Sequence, residues 1–186
     1  LGATVTKMKD YQVKSTTAFA SYDLVLITEF APNISSTALN VLKIAGVPVM
    51  IVEYWDFSYS YELGLTTTDQ CGYVGGTTVE LLEEDTRAAE NAGESPQIYS
   101  TSYTLYGISE LDLKPGVEPV AWSSESFGEV AMIIDPARHL AATGVYDTRK
   151  YTTEAWILFD ETIARIAPLG PAWASDEEAL QGYVDS

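Results

Sequence analysis

Tyr22–Thr66 reads YDLVLITEFAPNISSTALNVLKIAGVPVMIVEYWDFSYSYELGLT, and the fold is decided there. Tyr22–Thr28 (YDLVLIT) is an apolar run, the mark of a strand buried on both faces. Ser35–Ala45 carries Ala38, Val41, Leu42 and Ala45 at helical spacing, and Gly46 closes the helix. Val47–Val52 (VPVMIV) is a second buried run. Strand, crossover helix and parallel strand make a βαβ unit. Ligands of open α/β sheets bind beyond the carboxyl ends of such strands. Those ends carry Glu29, Glu53, Tyr54, Trp55 and Asp56, the residues expected to line a site.

Upstream, Ala3–Met8 alternates and reads as a strand, and Asp10–Ala20 as loop with a short helical turn. Downstream, Phe57–Leu63 reads as a helix ended by Gly64, or as a short strand by alternation. Thr66–Gly76 is turn-rich and reads as loop. Strands are expected over Thr77–Leu82, Ile98–Leu105 and Val120–Ser123. Glu129–Ile134 and His139–Val145, joined at Asp135-Pro136, form a hairpin. Thr152 caps a helix over Thr153–Ala167, with Trp156, Phe159, Ile163 and Ile166 on one face and Glu154 in the first turn. Residues 1–167 are one α/β domain, and 168–186, with two prolines and an acidic run, a linker or tail.

The 186 residues hold 27 acidic and 10 basic side chains, a net charge of −17, with 46% hydrophobic residues. A core can be buried, and the charge disfavours nucleic acid and anionic membrane as partners, because both need clustered Lys and Arg. No apolar run reaches the length of a membrane span. The single cysteine, Cys71, permits no internal disulfide. The acidic balance suits a soluble protein, a saline or extracellular setting, or cation binding, and the expected location is extracellular or cell surface.

The rhythm of YDLVLIT, loop, helix, GVPVMIV and a following Leu63-Gly64 resembles the class I glutamine amidotransferase-like superfamily, including its non-catalytic trehalose-utilisation-protein-like branch. The stretch Thr143-Gly144-Val145-Tyr146, a loop and the final helix fit the same pattern. The resemblance implies a three-layer flavodoxin-like fold, a mostly parallel sheet with helices on both faces, and a C-terminal β-hairpin plus helix. It also implies a central strand and helix ahead of Leu1-Gly2, absent from this sequence. Active relatives place a cysteine after the strand that here is Val47–Val52; Glu53 occupies that turn. The His and Glu partners would fall near Tyr146, Asp147 and Arg149. The triad is therefore not retained, and a carboxylate cannot replace a thiolate in amide attack.

Glu53 and Glu29 still admit two readings. As neighbours at a sheet edge they form an acid/base pair or hold a cation; as helix caps they answer the helix dipole, the plainer reading. Tyr54 and Trp55 either stack on sugar faces or pack the sheet, while Phe57 and Tyr61 read as packing residues. Cys71 lacks a basic neighbour to activate it. His139, the sole histidine, reads as a surface or packed strand residue and excludes multi-histidine metal sites. No GxGxxG, P-loop or GxSxG is present, and no cofactor is expected.

The expected function is a non-catalytic binding or structural module of a larger secreted or surface protein, with other domains or chains of that assembly as partners. Two alternatives stand: a hydrolase acting on carbohydrate through Glu53 and Glu29, and an assembly subunit whose sheet another chain completes.

Overall fold

The computed structural model describes residues 4–28, 34–52, 57–81, 95–123 and 129–167. The opening stretch forms β1 (Val25–Ile27), α1 (Ser36–Ala45) and β2 (Val49–Val52), with β1 and β2 parallel and Val25 beside Val49. Ser35 caps α1 by accepting the Ala38 N–H at 3.3 Å. Gly46 leaves it in the left-handed conformation at φ 66°, where a Cβ would be strained. Ala38, Leu39 and Leu42 are the buried face of α1, and all four residues of β2 are buried.

The chain continues through α2 (Ser58–Leu63), β3 (Gly72–Gly76), β4 (Val79–Leu81), β5 (Tyr103–Ser109), β6 (Glu118–Ser123), β7 (Glu129–Asp135), β8 (Leu140–Thr143) and α3 (Thr153–Ile166). Among the described residues the strands join in the order β1-β2-β8-β7-β5-β3, while β6 pairs with β7 and β4 with β6. The fold is thus mixed α/β around a multistranded sheet. Alternate residues of β2 divide the core. Val49 and Ile51 pack with Leu39 and Leu42 of α1 and Leu63 of α2. Met50 and Val52 belong with Ala155, Leu158 and Phe159 of α3. Thr152 caps α3 by accepting the Ala155 N–H at 3.1 Å.

Several sequence expectations are corrected. The sheet is not mostly parallel: β1-β2 and β2-β8 are parallel, and the other five pairings are antiparallel. The short Pro136–Arg138 turn returns β7 directly into β8, and so short a link permits only antiparallel pairing. Strand β1 covers three residues and buries one face, since Leu26 is 45% exposed. Residues 4–9 pair with no strand among the described residues, and Val5 and Met8 are exposed.

Gly72–Gly76 is strand rather than loop, because Gly72 lies opposite Gly107 of β5. The Glu129 carboxylate fills the space that a Cβ at Gly72 would take. Strand β5 begins at Tyr103, so Ile98 and Tyr99 are buried ahead of it. Tyr61 is 46% exposed, whereas Phe57 is buried as expected. His139 precedes β8 as the left-handed residue (φ 59°) that ends the Pro136–Arg138 turn, its Nδ1 2.8 Å from the Ile166 carbonyl oxygen. Trp156 is the exposed flank of α3; Ala155, Leu158, Phe159, Thr162 and Ile166 are its buried face. The proposed linker or tail at 168–186 lies outside the described residues.

Candidate functional site at the carboxyl end of the parallel strands

The expected site residues Glu29, Glu53, Tyr54, Trp55 and Asp56 lie outside the described residues. The neighbouring part of the same sheet end, after β8, is described and has a definite chemistry. Thr143 closes β8: its Oγ1 donates to the Ala131 carbonyl at 3.3 Å and accepts the Val145 N–H at 3.0 Å. Gly144 follows, donating its N–H to the Ala131 carbonyl at 2.8 Å and accepting the Tyr106 N–H at 3.1 Å. A side chain at 144 would collide with the Tyr106 carbonyl oxygen. Glycine is what lets β5 pass over the end of β8.

The crossing strand brings tyrosines over that end. Tyr146 is buried, its ring centroid 5.4 Å from Tyr106 and 5.6 Å from Tyr103. Tyr99, fully buried, meets Tyr103 edge-on at 5.5 Å, and its hydroxyl oxygen accepts the Asp147 N–H at 3.3 Å. Tyr151 donates its hydroxyl to the Val145 carbonyl. Each ring presents an apolar body to its neighbours, while the Tyr99 and Tyr151 hydroxyls meet the backbone.

Asp147 stands at the centre of this cluster, its side chain fully buried. Arg149 donates from Nε to Oδ1 at 2.8 Å and from Nη2 to Oδ2 at 3.1 Å. Lys150 Nζ lies 3.6 Å from Oδ2 and 3.0 Å from the Tyr103 ring centroid, a cation–π contact. The Arg149 hydrogen bond holds the Asp147 carboxyl below the usual carboxylate range; burial pulls the other way, and the charges of Arg149 and Lys150 add to the lowering. Both carboxylate oxygens are thus engaged. Chemically, the arrangement locks a loop in place, and Asp147 is a poor proton acceptor.

The resemblance puts the unretained His and Glu partners near Tyr146, Asp147 and Arg149; after β8, Arg149 pairs with Asp147 and Tyr146 packs on Tyr103 and Tyr106. Sequence reasoning did not find the part played by Tyr99, Tyr103 and Lys150. Tyr99 and Tyr103 lie more than forty positions upstream of Asp147, and no spacing rule joins them. Cys71 is half-buried just ahead of β3. No cluster of three or more His, Cys, Asp or Glu suited to a metal ion occurs among the described residues. At the other end of the sheet, an open depression of about 320 Å³ is lined by Tyr22, Asp23, Gly46, Pro48 and Ala167, among others, with little chemistry beyond the Asp23 carboxylate. No described helix is long and apolar enough to cross a membrane.

No protein-family model matches the chain, and no curated protein matches it. Among solved structures, it is similar to a candidate A-subunit of GMP synthase from Thermoplasma acidophilum, with 12% identity and a TM-score of 0.45. That match covers 81% of this chain and 78% of the other. At 12% identity, the chemistry of that protein stays with that protein.

Proposed function

We propose that this chain is a non-catalytic binding or structural module of a larger secreted or surface protein, on a three-layer, amidotransferase-like, flavodoxin-like scaffold. The observation that carries this reading is the state of Asp147. It sits where a working relative would keep a catalytic partner, yet it is buried, bidentate to Arg149 and flanked by Lys150. A general base must hold a proton near the working pH, and this carboxylate is pushed away from that range. The preceding residue, Tyr146, packs its ring against Tyr103 and Tyr106. The acidic surface supports an extracellular setting.

The experiment is a turnover assay of the full chain with L-glutamine and with aryl glycosides. No hydrolysis above the uncatalysed rate is expected. Turnover that Glu53→Gln abolishes overturns the reading in favour of a hydrolase acting on carbohydrate through Glu53 and Glu29.

One observation favours a second reading, the assembly subunit. Strand β1 ends the sheet order, pairs only with β2 among the described strands, and exposes Leu26. An unpaired edge of this kind accepts an added strand. A concentration-independent monomer by light scattering, alone and with the remainder of its assembly, counts against this reading.

A further inference from the structure

We infer that Lys43, Lys114 and Arg138 form a binding site for a phosphate group beside Gly64, at the opposite end of the sheet from Asp147 and independent of the function proposed above. Three elements meet there. Lys43 is in the last turn of α1, which leads into the amino end of β2. Arg138 is in the turn that leads into the amino end of β8. Lys114 follows the Glu110–Asp112 turn, its N–H donating to the Leu65 carbonyl at 3.0 Å. Gly64 ends α2 at φ 82°. Around the point where its Cβ would stand, Arg138 Nη1 and Lys43 Nζ lie at 3.2 Å and Lys114 Nζ at 3.7 Å. Three of the chain's ten basic side chains therefore converge within 3.7 Å of one point beside the buried Gly64, in a protein of net charge −17.

The backbone does not account for this convergence. The carbonyls of Ser60 and Tyr61 accept the N–H groups of Leu65 and Gly64. Arg138 reaches two more, Gly64 at 2.9 Å from Nη2 and Leu63 at 3.5 Å from Nη1. Among the described residues, neither lysine's ammonium group has a hydrogen bond to these carbonyls. Nor do carboxylates account for it. Asp135, nearly fully buried, pairs with Arg138 Nε at 2.5 Å and accepts its backbone N–H at 2.9 Å. Among the described residues, neither Lys43 nor Lys114 has an ion pair.

The arrangement has the features of a phosphate site. Arg138 is held in a fixed orientation by Asp135 and by the carbonyls. Two ammonium groups on long, flexible stems stand beside it, on side chains that reach solvent. With one carboxylate against three cations, two positive charges are unmatched, the charge of a phosphomonoester dianion, which also offers three acceptor oxygens. A simple carboxylate would leave one cation uncompensated. Like charges this close are otherwise unfavourable, so an anion of matching charge is what the geometry suits.

The test is a titration of the ¹⁵N-labelled full chain at low ionic strength with inorganic phosphate, phenyl phosphate and acetate, followed by amide shifts. Saturable shifts centred on Gly64 and Leu65 are expected with the two phosphates, and none with acetate. Tighter binding of phenyl phosphate assigns the site to an ester, and tighter binding of inorganic phosphate to the free ion; both support it. Lys43→Gln and Lys114→Gln are each expected to weaken binding about tenfold, the loss of one close charge pair. The double Lys→Arg variant is expected to retain it. Both lysines reach solvent, so unchanged circular dichroism should confirm that the variants are folded. Absence of saturable shifts at Gly64 and Leu65, equal binding of acetate, or unchanged phosphate affinity in the double Lys→Gln variant overturns the proposal.

Discussion

The N–H of Tyr106 donates to the carbonyl of Gly144 at 3.1 Å, and this bond ties β5 across the end of β8. It lies past the end of the parallel run β1-β2-β8, whose other neighbour is the antiparallel β7. It also brings Tyr103 and Tyr106 onto Tyr146, over the place where the sequence pointed to catalytic partners.

Gly144→Ala tests this crossing. The added Cβ meets the Tyr106 carbonyl oxygen, a backbone atom that cannot step aside alone, so β5 must shift. A loss of about 3 kcal/mol is expected, the upper end of ordinary overpacking. Gly116→Ala is the comparison: φ is 89° and nothing lies within 4 Å of the new atom. It carries backbone strain alone, about 1–2 kcal/mol. Urea unfolding of both variants measures the gap; equal losses would mean that β5 does not press on Gly144.

Asp147 predicts an acid dependence. Its carboxyl titrates lower in the folded protein than the ordinary value of 3.8. The ionised, paired form therefore contributes stability above that pH, and the contribution is lost as pH falls through the lower, folded value. Asp147→Asn should cost about 1–3 kcal/mol at pH 7, the penalty for a buried hydrogen-bonded group losing its partners. The difference between the wild type and the variant should shrink as pH falls below 3.8. Urea midpoints of both proteins from about pH 7 to about pH 2 give this difference, since that range spans the loss of a paired carboxylate's charge. A gap that is flat or widens in acid contradicts the ion-pair account.

The two faces of β1 should respond differently to substitution. Ile27 is buried with Leu39 and Leu42, while Leu26 faces outward. Ile27→Ala should cost about 2–5 kcal/mol, the usual loss for a buried aliphatic side chain. Leu26→Lys should stay within about 0.5 kcal/mol, as exposed positions do. Thermal unfolding at two protein concentrations is the measurement. A large, concentration-dependent cost at Leu26 would show that a second copy covers that face.

How far the fold was legible depended on how local its cause is. The helix begun at Ser35, its close at Gly46 and the buried run of β2 each depend on a few neighbouring residues, so their pattern was readable. The Asp135-Pro136 hairpin was readable for the same reason. Strand β3 was not. GYVGG looks like loop because its glycines serve a partner distant in sequence: Gly72 makes room for the Glu129 carboxylate, and Gly107 of β5 lies opposite. Leu26 and Tyr61 were misplaced because hydrophobic type does not reveal which face of an element the rest of the chain covers.

By itself the sequence determined a mixed α/β chain: the βαβ start, the final hairpin and helix, and a net charge of −17. It also marked Tyr146, Asp147 and Arg149 as neighbours of interest. Only the tertiary structure decided that antiparallel pairing dominates, that β5 crosses at Gly144, and that Lys43, Lys114 and Arg138 meet at Gly64. Periodicity and capping act over a few residues, so a sequence displays them. Strand order and the convergence of side chains depend on contacts among residues tens of positions apart, and those exist only once the chain has closed on itself.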